Sequence, residues 1–272
     1  MFGWFKKESQ KSADPLYAHA AATHTGLRHK HNEDAYFLPE RSEDGKGVPP
    51  DKVAVLGKLF ILCDGLGGGN AGEVASRLAC SWLSRAFYNT PQGREPMVER
   101  LASLILETHD NLKHLSLTHA PYAGMGTTLV AAHIKGAMLT VASIGDSRCY
   151  LVRGGQLVQL TEDHSDIWSE YISGKLTKEE LRTHPRRNIL TQALIVSEKL
   201  SLSSFSINSR LLKKGDQLLL CSDGLSDMVP EREIAEILKR GNTLEESVQT
   251  LIGAANDGGG RDNITVILVG VM

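Results

Sequence analysis

The amino-acid sequence predicts an α+β fold, in which a central antiparallel β-sandwich is flanked by pairs of α-helices. Short apolar runs separated by tight turns follow one another too closely for βαβ units, which favours antiparallel pairing. Longer segments with helical character stand in pairs, two in the first half of the chain and two near its end. No Pro-, Ser- or Gly-rich linker divides the apolar segments. We therefore expect a single domain over residues 17–272, preceded by a mobile tail over residues 1–16.

The first half of the chain contains three predicted strands followed by two predicted helices. LFILC at 59–63 is a continuous apolar run, which is typical of a buried strand. Within the first helix, Val74, Leu78 and Trp82 share one face. The predicted strands cover 18–25, 34–38 and 59–63, the helices cover 71–88 and 95–118, and a polar insert occupies about 39–52.

The second half begins with four short predicted strands, whose Gly-containing breaks indicate tight hairpins. One of these breaks is Gly145-Asp146-Ser147. The polar segment 163–189, broken by Pro185, is a candidate surface flap. Strands are expected at 127–134, 137–144, 148–153, 156–160, 200–207, 216–221 and 263–271, and helices at 231–239 and 243–255.

The composition excludes several classes of partner. The 272 residues carry 30 basic and 32 acidic side chains, a net charge of −2, which leaves no electrostatic footprint for nucleic acid or for a broad anionic membrane surface. No apolar run approaches the roughly 20 residues of a membrane span, and the N-terminal apolar stretch is too short for a secretory signal. The four cysteines show no C-x-x-C spacing and are typical of core thiols in a reducing cytosol. We expect a cytoplasmic protein.

Acidic residues recur where apolar runs start, end or turn. Asp64 and Asp223 follow predicted strands, whereas Asp34 and Asp262 precede them, so antiparallel neighbours would bring all four carboxylates to one edge. Asp146 joins them if its turn lies at that edge. Carboxylates gathered in this way repel each other unless cations neutralise them, and oxygen ligands suit hard divalent ions. The pattern therefore predicts a metal-dependent enzyme.

A single Asp-Gly pair is most often only a turn. Asp44-Gly45 and Asp257-Gly258 fit that structural interpretation, because they lie in polar, Gly-rich surroundings. Asp64-Gly65 differs, because a Gly-rich stretch separates it from the next helix and would let the backbone approach a ligand closely. The functional interpretation depends on the set of acids rather than on any one of them.

Seven segments carry a resemblance to a known family, and they stand in that family's order. They are GLRHKHNED (26–34), CDGLGG (63–68) with GEVAS (72–76), GMGTTL (124–129), IGDSR (144–148), LTEDHS (160–165), CSDGL (221–225) and RDNIT (261–265). Together they resemble the metal-dependent serine/threonine protein phosphatases of the PPM (PP2C) family in its compact bacterial form. The resemblance covers about residues 18–271.

The resemblance implies a site with two Mn²⁺ or Mg²⁺ ions and names its ligands by motif position. Asp64 should bridge both ions, and the Gly65 carbonyl should bind one of them. Asp223 and Asp262 should hold the other, while Glu33 and Asp34 act largely through water. Asp146 falls where bacterial relatives bind a third, weaker ion, shared with Asp223. The stretch 163–190 corresponds to a flap that influences access of the substrate.

Two departures from the family pattern concern the chemistry. The phosphate-contacting Arg of the family normally lies five residues before Asp34, where this chain has His29, with Arg28 one step earlier. Either residue is a candidate for the phosphate contact, Arg28 because it offers a bidentate contact, His29 because of its position. Animal-type members carry a His after the Asp-Gly pair, where this chain has Leu66, so water or another group must protonate the leaving alkoxide.

The resemblance implies a protein serine/threonine phosphatase that hydrolyses phosphomonoesters with water activated by two metal ions. Its partners would be phosphoserine and phosphothreonine proteins and a cognate kinase, and the chain would be a monomer. The alternative is a catalytically weak pseudophosphatase that acts as a phosphoprotein-binding module. A Cys-dependent phosphatase is excluded because no C-x5-R motif exists, and a P-loop is absent too. Arg186-Arg187 is either a solvated basic pair or a pair that attracts acidic phosphosubstrates to the flap.

Overall fold

Two antiparallel β-sheets packed face to face form the centre of the computed structural model, which describes residues 16–40, 47–67, 70–195 and 199–272. The strands are β1 (Tyr17–His24), β2 (Asp34–Phe37), β3 (Lys58–Leu66), β4 (Gly126–Thr127), β5 (Leu129–Lys135), β6 (Met138–Ile144), β7 (Arg148–Arg153), β8 (Gln156–Gln159), β9 (Leu194–Ile195), β10 (Ser206–Leu211), β11 (Gln217–Cys221) and β12 (Ile264–Val271). The predicted tail, apart from Leu16, and residues 41–46 of the predicted insert lie outside the described residues.

The strand order separates the chain into two sheets. One has the order β1-β12-β11-β7-β8, and the other has the order β10-β6-β5-β3-β4-β9 with β2 added beside β3. The helices are α1 (Pro50–Leu56), α2 (Asn70–Asn89), α3 (Met97–Thr118), α4 (Trp168–Ile172), α5 (Lys178–Thr183), α6 (Asp223–Ser226), α7 (Glu231–Lys239) and α8 (Leu244–Asp257). The predicted antiparallel sandwich flanked by helix pairs is confirmed.

Alternation along the central strands divides the interior into three apolar layers. In β3, Phe60 and Leu62 pack between the sheets, whereas Leu59, Ile61 and Cys63 pack beneath α2 and α3. The central strand β12 behaves in the same way, with its outer face beneath α7 and α8. Both faces of these strands are buried, which explains why their sequences are continuously apolar.

Two segments of the structure differ from the prediction. The insert at 39–52 was predicted only to be polar, and α1, which was not predicted, begins at Pro50 within it. Val53 and Leu56 of this helix pack against the layer beneath α2. The strand expected at 200–207 lies instead at β10, after a 3-10 turn over Leu202–Ser204 that Ser201 caps. Serine-rich sequence permits either conformation, and pairing with β6 decides which residues extend.

The prediction of a hairpin at Gly145-Asp146-Ser147 is wrong. β6 pairs with β5 and β10, whereas β7 pairs with β11 and β8, so this segment crosses from one sheet to the other. Gly145 has a φ of 98°, and its amide donates to Nδ1 of His164 at 3.0 Å. A crossing and a hairpin both need a residue at positive φ, so local sequence does not distinguish them. The breaks at 135–136 and 154–155 are hairpins as expected.

The segment 163–189, called the flap below, forms α4 and α5 on the outside of the sandwich. Lys178 pairs with Glu231 at 2.5 Å and Arg187 with Asp227 at 2.6 Å, which fastens the flap to the segment around α6. Over the described ranges, no helix combines the length and the apolar character needed to cross a bilayer. All four cysteines are buried thiols, as the sequence predicted.

Candidate metal centre

One cleft at the end of the sandwich gathers acidic side chains from both sheets. Its volume is about 320 Å³, and its acidic wall consists of Glu33, Asp64, Asp146, Asp223 and Asp262. Among the described residues that line it, none is Lys or Arg, and His29 is the one side chain able to carry a positive charge. The described lining otherwise consists of Gly65, Leu66, Gly67, Asn188, Leu190 and Asn263.

Strand pairing produces this convergence. Asp34 at the start of β2 is the register partner of Asp64 near the end of β3. Asp223 follows β11 and Asp262 precedes β12, and these strands pair antiparallel, with Cys221 opposite Val266. Each sheet therefore delivers acids to the same end of the sandwich. The convergence expected from the sequence is observed, including that of Asp146, although Asp146 arrives on a crossing segment.

Asp34 lies behind the cleft wall and joins the two sheets. Its side chain is buried, and its Oδ2 accepts hydrogen bonds from Ser222 Oγ at 2.8 Å and Thr265 Oγ1 at 2.6 Å. Thr265 lies in β12 and Ser222 directly follows β11, and both of these strands belong to the opposite sheet. The other oxygen, Oδ1, is buried and has no hydrogen-bond partner among the described residues. A buried carboxylate oxygen without a donor is a position where a cation or water is expected.

Asn263 holds the loop that carries Glu33. Its Oδ1 accepts the Glu33 amide at 2.7 Å, and its Nδ2 donates to the carbonyls of Thr25 at 2.8 Å and His31 at 3.1 Å. The Glu33 carbonyl in turn accepts from the Gly65 amide at 3.1 Å and from a serine hydroxyl of α2. The backbone of the acidic motif at 32–34 is thus held from three sides.

The backbone of Asp64 is held by the strand beside it. Its amide donates to Thr128 Oγ1 at 3.1 Å, and its carbonyl accepts from the Thr128 amide and from Thr127 Oγ1, each at 2.8 Å. Thr128 Oγ1 also shares a hydrogen bond of 2.7 Å with Ser147 Oγ, next to Asp146. One threonine therefore links the segments that carry Asp64 and Asp146.

A second small cavity lies between the cleft and the flap. Asp146 and Asp223 line both the cleft and this cavity, and Asp227 adds a further carboxylate to the lining of the cavity. Arg187 of the flap donates to Asp227 Oδ2 at 2.6 Å, and Arg148 binds Asp163 at the base of the flap through three contacts of 2.5–3.1 Å. These two arginines offset part of the negative charge on the flap side. The described lining of the cleft contains no arginine or lysine that could do the same.

Burial and mutual repulsion raise the pKa values of the clustered acids. Burial raises the pKa of Asp34 to about 6, against the hydrogen bonds from Thr265 and Ser222, which lower it. Burial followed by the charges of neighbouring aspartates raises the pKa of Asp64 and of Asp223 well above the usual range, and that of Asp146 to about 7. A bound dication would reverse these shifts, because it favours the ionised form.

The donor set fits a hydrated dication rather than a closed cage. Within the described parts of the chain, no three His, Cys, Asp or Glu side chains come close enough together to hold a metal ion by themselves. The buried Asp34 Oδ1 and Asp223 Oδ1 nevertheless have no hydrogen-bond partner there. Mg²⁺ commonly keeps several waters and binds through one or two carboxylates. An open cleft with all-oxygen donors and spare carboxylate oxygens suits such an ion.

The structure distinguishes the two candidates for the phosphate contact by their position. His29 lines the cleft, and its Nε2 lies 3.4 Å from Asp262 Oδ1. Arg28 is exposed and is not among the residues that line the cleft. The residue that contacts the phosphate stays a prediction.

Sequence reasoning missed several polar residues that hold the site. Ser222 and Asn263 adjoin acids of the matched motifs, and Thr265 follows Asp262 by three residues, so their position was a usable signal. Their hydrogen-bond partners, however, come from distant segments. Asn188 and Leu190 line the cleft from the flap side and carried no signal of their own.

Comparison with known proteins adds an independent observation. The chain matches a family model described as Protein phosphatase 2C over residues 51–257. It is 43% identical to the serine/threonine phosphatase stp of Listeria monocytogenes over 234 residues, which are 85% of this chain and 91% of that protein.

Solved structures agree with this match. Stp1, a serine/threonine phosphatase of Staphylococcus aureus, has a TM-score of 0.82 and 31% identity over 98% of this chain and 100% of its own. The catalytic domain of the serine/threonine protein phosphatase PstP, solved in complex with two manganese ions, has a TM-score of 0.78 and 32% identity, covering 95% of this chain and 99% of its own.

Proposed function

Because the chain belongs to the protein phosphatase 2C family and is a metal-dependent serine/threonine protein phosphatase, we propose that its acidic cleft holds the metal ions and the phosphoryl group. Asp64 with the Gly65 carbonyl would hold one Mn²⁺ or Mg²⁺ ion, and Asp223 and Asp262 would hold the other, with Asp64 reaching both. Water would complete each coordination shell, because no three described acidic side chains close on one ion by themselves. Glu33 and Asp34 act through water. The catalytic domain covers residues 17–272.

One observation carries this assignment. Carboxylates from both sheets line a single cleft, and no described Lys or Arg lines it to balance their charge. Such an arrangement is costly for the metal-free protein, because burial and repulsion raise the pKa values of Asp64 and Asp223. Strained electrostatics of this kind cluster at functional sites. No observation favours the alternative of a pseudophosphatase.

The protein side of the chemistry is positioning. When bound, the ions supply the Lewis acidity that activates water and neutralises charge at the phosphoryl group. Ser222 and Thr265 keep Asp34 oriented, Asn263 fixes the loop of Glu33, and Thr128 fixes the backbone of Asp64. Preorganised groups of this kind need no rearrangement during the reaction. No protein nucleophile is required.

The phosphate contact belongs to the loop at 26–32. His29 is favoured by its place in the cleft wall beside Asp262, and Arg28 is the alternative. Replacing each residue by Ala in turn distinguishes the two candidates. Replacement of the residue that contacts the phosphate should raise KM for every phosphomonoester, because all of them share the phosphoryl group. A third, weaker ion is assigned to Asp146 and Asp223, which line both the cleft and the cavity under the flap.

The substrates are phosphoserine and phosphothreonine proteins, and we assign a cognate serine/threonine kinase as their source. We further assign the protein to the cytoplasm as a monomer. These assignments extend the family membership and the sequence composition. Size-exclusion chromatography with light scattering tests the monomer, and phosphoproteome comparison of cells with and without the protein tests the substrates.

Turnover of a phosphothreonine peptide with added Mn²⁺ or Mg²⁺ tests the function. We expect hydrolysis that EDTA abolishes, and a loss of at least about 100-fold in kcat for Asp64→Asn and Asp223→Asn. Asp257→Asn is the matched control, because Asp257 is an exposed acid that does not line the cleft. Equal activity of Asp64→Asn and Asp257→Asn would overturn the assignment.

A further inference from the structure

The flap arginines that the sequence singled out are already paired. Arg186 binds Asp166 and also Glu170, the latter at 2.7 Å, and Arg187 binds Asp227 at 2.6 Å. Each guanidinium is thus engaged by a carboxylate of this chain. An acidic substrate would have to displace these partners, so the flap is a poor place for its recognition.

Two exposed cations that adjoin cleft-lining residues in the chain have no such partner among the described residues. Lys30 and Arg261 are exposed, and neither forms an ion pair with a carboxylate of the described residues. Lys30 directly follows His29 and Arg261 directly precedes Asp262, and both His29 and Asp262 line the cleft. The pair of Lys30 and Arg261, called the basic rim below, therefore adjoins the cleft in the chain at both positions.

The two loops that carry the basic rim are fastened to each other. The Leu27 amide donates to the Gly260 carbonyl at 2.7 Å. Gly26 packs so closely that a Cβ there would lie 2.2 Å from the Asp262 carbonyl oxygen. Asn263 completes the connection by donating to the carbonyls of Thr25 and His31. The charges are consequently presented from a common, fixed backbone, which lowers the entropic cost of using both together.

We propose that the basic rim is a specificity subsite, which selects phosphopeptides that carry Asp or Glu beside the phosphorylated residue. This inference rests on the proposed function, because it places the phosphoryl group in the adjoining cleft. Unpaired cations next to a binding cleft attract anionic ligands and favour complementary partners. The net charge of −2 and the small size of the rim fit a short acidic segment better than a nucleic acid backbone.

Two phosphothreonine peptides of equal length test this, one with Glu and one with Gln on both sides of the phosphothreonine. With the full chain and Mn²⁺ at low salt, we expect kcat/KM about fivefold higher for the Glu peptide, since each exposed charge pair is weak. At 0.5 M salt, where screening is strong, the preference should disappear. In Lys30→Gln/Arg261→Gln it should fall below about twofold through a higher KM for the Glu peptide.

The matched control is Lys135→Gln/Lys214→Gln, which removes two exposed cations at the opposite end of the sandwich. It should keep the wild-type preference, and Lys30→Glu/Arg261→Glu should favour the Gln peptide. A preference that survives in Lys30→Gln/Arg261→Gln, or a wild-type enzyme that hydrolyses both peptides equally well, overturns the subsite alone. Failure of the wild type to hydrolyse either peptide overturns the proposed function as well.

Discussion

Asp34 and Asp64 lie directly opposite each other across β2 and β3, as partners in the antiparallel register. Like charges facing each other across a sheet are destabilising, and here burial adds to their repulsion and raises the pKa of both carboxyl groups. The fold tolerates this because Ser222 and Thr265 donate to Asp34. The pair is best explained as part of a metal site, whose carboxylates destabilise the protein as long as no metal ion is bound.

Asp64→Asn should therefore stabilise the metal-free protein while weakening its response to metal. In EDTA at pH 8 we expect a higher Tm than in wild type. Each kcal/mol gained in the free energy of unfolding should raise the Tm by about 2–4 °C. Mn²⁺ at 100 times its Kd should stabilise wild type by about 2.7 kcal/mol, and the variant by much less. Thermal unfolding with and without Mn²⁺ measures both effects. Asp257→Asn should respond to Mn²⁺ like wild type, and an undiminished response of Asp64→Asn would refute the expectation.

Thr265→Val should lower Mn²⁺ affinity by about 10-fold or more, a loss typical when the groups that orient metal ligands are removed. The substitution removes the 2.6 Å hydrogen bond to Asp34 Oδ2 with little change in volume. Thr265→Ser retains the hydroxyl and should bind Mn²⁺ nearly as wild type does. Isothermal titration calorimetry of the three proteins measures the affinities. Equal losses in the Val and Ser variants would assign the effect to packing instead.

Gly145→Ala should be destabilising by roughly 3 kcal/mol or more, because it combines backbone strain with a steric clash. Its φ is 98°, and a Cβ there would lie 2.6 Å from Cβ and Cγ2 of the buried Thr128. Gly154→Ala is the control, since Gly154 has a φ of 59° and open space around it, so only about 1–2 kcal/mol is expected. Urea unfolding of both variants gives the difference, and similar losses would remove the role of the clash.

His133 should make the protein less stable as the pH falls from 6.5 towards 4. Burial lowers its pKa to about 4, although the hydrogen bond to the Leu56 carbonyl opposes the shift. Between these two pH values the unfolded chain binds more protons than the native one, so stability is present above pH 6.5 and lost below it. Over the whole interval the contribution is about 3 kcal/mol. Tm measured from pH 7 to 5 should fall less steeply in His133→Gln than in wild type, and parallel slopes would contradict this origin.

Much of the site was predictable because strand ends obey simple geometry. Antiparallel neighbours place the end of one strand beside the start of the next, which is how β2 with β3 and β11 with β12 bring Asp34, Asp64, Asp223 and Asp262 together. The positions of α2, predicted from its apolar periodicity, and of α3 and α7 also agree with the sequence prediction to within about two residues.

The rest depends on contacts between distant segments. The crossing at Asp146 follows from the pairing of β7 with β11, which no local signal reveals. Thr265 and Ser222 meet Asp34 from the other sheet, and α1 forms because Val53 and Leu56 find an apolar surface. Tertiary packing overrides local propensity at each of these places.

The most direct test of the central claim is the anomalous difference map, at the manganese edge, of crystals grown with MnCl₂. Two peaks inside the cleft are predicted, both in contact with the Asp64 carboxylate and one also with the Gly65 carbonyl. A cleft without peaks, or manganese bound only where Asp64 does not reach it, would contradict the account.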